Sequence, residues 1–169
     1  LRVLPLRILI SVQSGRQYLA AYCPGIRRMQ SYRLDYILSV CPLEPAADFA
    51  QRRVQLETMQ QHMWGVSMQG ASAQTEHISF TLRYGDGEAF ILQRLEREKR
   101  CGTVERLDDH TCRFSADVYD AYELVPWIRT FLCRIIRLEC SNQQLEHQFR
   151  SDLARMYRMY GLEDADAVS

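Results

Sequence analysis

Arg16-Gln17-Tyr18-Leu19-Ala20-Ala21-Tyr22 is followed, past a Pro24-Gly25 turn, by Arg27-Arg28 and then by Ser31-Tyr32-Arg33-Leu34-Asp35-Tyr36-Ile37. Aromatic and cationic residues thus alternate through two adjacent β-like segments. Guanidinium forks hold a phosphate, and tyrosine faces stack a base. Arg33 leads the set. On an alternating strand it shares a face with Ser31 and Asp35, and its five donors suit a phosphate or an ion pair with Asp35. Arg28 and Arg7 carry the same two readings, anion contact or a solvated strand face. Tyr18 and Tyr22 lie four apart and share a face; they either stack a base or fill the core with a satisfied hydroxyl. Arg16, just after Gly15, is a groove-edge cation or ordinary loop charge.

No other chemistry is nominated. The sequence has no Walker-type loop, no Gly-x-Ser-x-Gly elbow and no His-Glu-x-x-His. Its four histidines (His62, His77, His110, His147) are far apart. Its six cysteines (Cys23, Cys41, Cys101, Cys112, Cys133, Cys140) form no Cys-x-x-Cys pair and no zinc spacing. A non-enzymatic protein with reduced thiols, no metal and no cofactor is the expectation. Lys and Arg total 21 and Asp and Glu total 21, a net charge of zero. That argues against bulk attraction to duplex DNA, so any nucleic-acid contact must be local. No apolar run approaches the roughly 20 residues of a membrane helix. The N-terminal residues lack the pattern of a signal peptide. A cytoplasmic location and no membrane partner are therefore expected. Without a starting Met, the chain reads as part of something longer.

Leu6–Val12, Tyr18–Cys23 and Met29–Val40 read as a meander of strands, the raw material of a small barrel. Phe49, Arg53, Leu56, Met59 and Met63 then recur near helical spacing, with Asp48 as cap and Gly65 as stop. Met68–Gln74 is small and polar, a natural boundary. Beyond it, Ile78, Phe80, Leu82 and Tyr84 alternate with polar residues as a strand. Gly85-Asp86-Gly87 turns into a helix carrying Ile91, Leu92 and Leu95. Strands follow at Gly102–Leu107 and Cys112–Val118. A helix from Asp120 lines up Ala121, Leu124, Val125, Ile128, Phe131 and Leu132, and Arg134–Cys140 is the last strand. This β-α-β-β-α-β order predicts a ferredoxin-like domain. Ser141–Gln144 resembles a capping box opening a terminal helix with Gly161 as its C-cap. Trp64 and Trp127 are packing anchors, one under the linker helix and one in the second domain. The predicted divisions are 1–44, 45–74 and 75–162.

Pro5-Leu6-Arg7-Ile8-Leu9, Gly15–Tyr22 and Tyr32-Arg33-Leu34-Asp35-Tyr36-Ile37 resemble the bacterial WYL domain. The usual form of that domain is Pro-Leu-Arg, then Trp-Tyr-Leu, then Arg-Leu-Asp at this spacing. The second half, with Trp127-Ile128 and Arg134-Ile135-Ile136-Arg137-Leu138-Glu139 before a terminal helix, resembles the extension that follows many WYL domains. Gln17 stands where the family has Trp. Gln30 stands where it often has Arg, and Arg28 is a substitute one strand-period away.

The resemblance implies an Sm-like, SH3-type small β-barrel, then a ferredoxin-like extension. It implies effector sensing in a bacterial transcriptional regulator, with a nucleic-acid or nucleotide-like anion bound on the barrel by Arg33, Arg28, Arg7, Tyr22, Tyr18 and Arg16. DNA would be met only through an N-terminal winged helix-turn-helix, absent here together with the first barrel strand. That would leave a strand edge open to another copy, and a homodimer is expected. The alternative is a structural dimerisation module, with the second domain and terminal helix as interface and no ligand.

Overall fold

A computed structural model of the chain describes residues 1–68 and 74–162. Three strands, β1 (Leu4–Ile10), β2 (Gln17–Cys23) and β3 (Arg28–Arg33), form an antiparallel sheet in the order β1-β2-β3. Gly15, at φ +68°, supplies the left-handed turn residue of the first hairpin. The register aligns Leu4 with Tyr22 and Met29, and Leu9 with Tyr18 and Arg33. One face therefore carries Tyr18, Ala20, Tyr22, Met29, Ser31 and Arg33. Across from it lies α1 (Phe49–Gln60), whose Leu56 and Met59 join Met63 and Met68 to bury Ala20, Tyr22 and Met29.

This sheet is open, not a closed barrel. The β segment expected to run from Met29 to Val40 ends at Arg33. Leu34–Tyr36 is a 3-10 turn, closed by the Ile37 amide on the Leu34 carbonyl, and residues 37–46 have no regular structure. The side chain of Asp48 does not cap α1. Its carboxylate accepts from Arg52 Nε at 2.8 Å instead.

The second sheet is antiparallel in the order β5-β6-β4-β7, built from β4 (Glu76–Arg83), β5 (Thr103–Arg106), β6 (Thr111–Val118) and β7 (Ile135–Cys140). α2 (Phe90–Glu98), α3 (Val125–Ile128) and α4 (Gln143–Met159) contribute Ile91, Leu95, Ile128, Leu145 and Phe149 to the core over one face. Ser79 and Thr81 point to the other face of the central strand and are buried as well, flanked across the strands by Ser115, Arg113, Glu139 and Arg137. The alternation of β4 thus reports which side meets the helices, not which side meets water.

The single helix expected from Asp120 is broken. Ala121–Leu124 and Arg129–Arg134 are 3-10, and only Val125–Ile128 between them is α-helical. Pro126 sits in the first turn of α3, where its missing N–H is tolerated; continuing a helix through it from Ala121 would lose a backbone bond. Asn142, not Ser141, caps α4, accepting from the Leu145 amide; the Ser141 hydroxyl accepts from the His77 amide at 2.9 Å. Gly161 is left-handed at the end of α4. Trp64 is not under the linker helix. It enters the second core, 4.7 Å from Trp127 between ring centroids and edge-on to Phe114. All six cysteines are free, and burial pushes the Cys112 thiol up to about 11.

Candidate functional site

The end of the first sheet where β3 stops collects charge. Arg33 turns back on the residues that follow it. Its Nε donates to Asp35 Oδ1 at 3.0 Å, its Nη2 donates to Oδ2, and its Nη1 donates to the Tyr36 hydroxyl at 2.8 Å. The guanidinium carbon lies 3.9 Å from the centre of the Tyr36 ring. The fork on Asp35 holds that carboxyl below the usual carboxylate range and pushes Arg33 up from an already high value. Tyr18 stands opposite Arg33 in the register. Arg16 lies near enough to favour the Asp35 anion further. Arg33 thus holds the Asp35 carboxylate, with Tyr36 and Tyr18 beside Arg33 and Arg16 near Asp35, which remains exposed.

The other candidate residues lie elsewhere. Arg7 shares the inner face but is drawn to α1, donating to Gln60 Oε1 at 2.6 Å and to Glu57 at 3.3 Å. Tyr22 is 7% exposed, beneath the guanidinium of Arg52 at 3.7 Å. It belongs to the core of the first unit, with its ring face already covered. Arg28 pairs with Cys23 in the register and projects from the opposite face, with Gln30 and Tyr32. There the Tyr32 hydroxyl donates to Gln30 Oε1 at 2.6 Å, and burial raises the tyrosine pKa. An even spacing does keep Arg28 with Gln30, but it parts both from Arg33.

Two residues of the arrangement were not singled out from the sequence. Tyr36 follows Arg33 by three, a spacing that meets in a turn or helix but not along a strand. Arg52 follows Asp48 by four, the spacing of a helical ion pair, and so was available as a cover for the sheet.

A concavity of about 540 Å³ opens between β7 and α4, away from Arg33. Its charges are matched internally, Arg137 with Glu139 at 2.7 Å and Arg150 with Glu146 at 3.0 Å. No group of three or more His, Cys, Asp or Glu side chains converges among the described residues, and no helix of the structure is long and apolar enough to cross a membrane. No protein-family model matches the chain, and comparison with curated proteins gave no match.

Proposed function

We propose that the chain is the effector-sensing region of a WYL-type bacterial transcriptional regulator, non-enzymatic and cytoplasmic, and that it takes an anionic ligand at Arg33. The observation that carries this reading is the bidentate grip of Arg33 on Asp35, beside Tyr36, Tyr18 and Arg16. A carboxylate in a guanidinium fork occupies the place a phosphate oxygen pair would take. A phosphorylated ligand would displace Asp35 from the fork, and a base would stack on Tyr18 or on the face of the largely exposed Tyr36 ring that Arg33 does not cover. Arg7, Arg28 and Tyr22 are not part of this constellation. A fork beside tyrosine faces supports single-stranded nucleic acid or a nucleotide as the ligand class.

The finer architecture belongs to the same proposal. The three-stranded meander is read as part of an Sm-like barrel. The β5-β6-β4-β7 order, with helices on one face, supports a ferredoxin-like extension. DNA would be contacted only through a winged helix-turn-helix outside this chain.

Titration of fluorescein-labelled oligonucleotides and of nucleotides tests the site. Binding that weakens at least about tenfold in Arg33→Ala, with Arg28→Ala unchanged, is the expected result; a tenfold loss is 1.4 kcal/mol, the scale of a charge-assisted bond. No binding, or equal binding to Arg33→Ala, sinks the reading.

A further inference from the structure

The hydroxyls on the helix-free face of the second sheet are not alike. Those of Thr103 and Ser115 meet at 3.1 Å, and Thr111 donates to Asp108 at 2.6 Å. Ser79 and Thr81, on the central strand β4, have no hydrogen-bond partner for their hydroxyls among the described residues. Yet they are the most enclosed of the set, at 8% and 7% exposure. A hydroxyl so enclosed ordinarily finds a partner, because an unpaired one has lost its hydration for nothing. Arg134 Nε is the one side-chain nitrogen or oxygen among the described residues that is sealed from solvent without a partner. Both hydroxyls therefore still open to solvent.

The charges on this face divide in the same way. His77 meets Asp117 at 2.9 Å, and Arg137, on one side of Thr81, is held by Glu139 at 2.7 Å. Arg83 and Arg113 have no hydrogen bond, ion pair or ring contact among the described residues. Arg83 is exposed, but Arg113 is half-buried. Glu105 stands across from Arg113 in the register without pairing with it. Arg113 lies directly opposite Thr81, and Arg83 follows Thr81 by two on the same face, opposite Thr111. Arg83 and Arg113 are thus diagonal neighbours, about 7–8 Å apart at the backbone and within reach of one another at their tips. An unpaired hydroxyl lies beside two unpaired guanidinium groups.

We propose that Thr81, Arg113 and Arg83 form an anion site for a phosphate group on the open face of the second sheet. A single fork satisfies a flat carboxylate. Two forks from the sides and a hydroxyl from beneath offer donors in three directions, which suits a tetrahedral oxyanion with a charge near −2. Glu105 opposes the anion, but it is exposed and screened by water and salt. The site stands on a different sheet from Arg33 and does not depend on what Arg33 binds.

Amide NMR of the isotope-labelled full chain tests it. Inorganic phosphate, titrated at constant ionic strength, should shift the Thr81 and Arg113 amides saturably, with a dissociation constant in the millimolar range. Arg113→Gln should weaken that binding at least about tenfold, the scale of a charge-assisted contact. Arg83→Gln, at an exposed position and so harmless to folding, should weaken it as well. Glu105→Gln should tighten it, and Arg33→Ala should leave it unchanged. Glycerol 2-phosphate separates the two sources of the group. Binding as tight as that of the free ion assigns the site to phosphate esters, and weaker binding assigns it to inorganic phosphate. No saturable shift at Thr81 and Arg113 with either probe overturns the proposal. So does undiminished binding in both Arg113→Gln and Arg83→Gln.

Discussion

Glu123 accepts a hydrogen bond from the backbone N–H of Gly65 at 2.9 Å, and its other oxygen takes those of Val66 and Ser67 at 3.0 and 3.1 Å. Three successive amides of the segment between the two sheets thus converge on one carboxylate from the second unit. A Cβ at position 65 would stand 2.5 Å from Oε1. Gly65→Ala must push the carboxylate out of this cradle, and Glu123→Ala leaves the amides without it. Each should lose about 1–3 kcal/mol of stability in urea denaturation. A change below about 0.5 kcal/mol in both would mean that the cradle contributes nothing to the fold.

The same carboxyl sets a pH dependence. Burial pushes Glu123 above the usual range, and its hydrogen bonds from Val66, Ser67 and Gly65 only partly offset that. The folded chain therefore holds this proton more tightly than the unfolded one. Between the unfolded value of about 4.3 and the higher folded value, its contribution to stability falls as pH rises. Carboxyl NMR should show Glu123 titrating above ordinary glutamates. Glu123→Gln should remove that component of the stability slope, and an unchanged slope would assign it to another group.

Much of this arrangement was legible from residue periodicity, and the failures have identifiable causes. β4 and β6 follow from strict alternation, and α2 from Ile91, Leu92 and Leu95 after a glycine turn. The end of β3 did not follow, because Ile37-Leu38-Ser39-Val40 is as β-prone as any strand. The 3-10 turn closed by the Ile37 amide on the Leu34 carbonyl, together with the Arg33 contacts to Asp35 and Tyr36, halts it. Pro126 was the available signal that the helix after Asp120 would break. The fate of Trp64 was not legible, since a residue between two units can pack into either. The basic-aromatic run contains Arg16, Tyr18 and Arg33, which lie together at one end of the first sheet. It could not separate them from Arg28, whose face depends on a register counted from the next turn, or from Tyr22, covered by a helix 30 residues later.

Arg52 should prove to be the lid on Tyr22. Its guanidinium lies over the ring and is fixed by Asp48 at 2.8 Å and Gln55 at 3.1 Å. Arg52→Ala removes a cation–π contact and a packed stem, an expected loss of about 1 kcal/mol. Acrylamide quenching of tyrosine fluorescence should increase in that variant and not in Arg53→Ala, which lies on the exposed side of α1. Equal quenching in the two variants would show that Tyr22 is shielded by something else.

Trp64 ties the segment after α1 to the second unit. It follows α1 by four residues, yet 3% of it is exposed, because Phe114 and Trp127 receive its ring in the second core. Arg100 reinforces the tie, donating to the Trp64 carbonyl at 2.8 Å. Trp64→Ala should therefore cost about 3–5 kcal/mol, the range for large aromatic truncation in a core. Trp127 then remains as the single tryptophan, and its emission should shift to the red as water reaches the vacated volume. Trp64→Phe should recover most of the stability. If Trp64→Ala is as stable as the natural chain and Trp127 emission is unmoved, Trp64 does not join the two units.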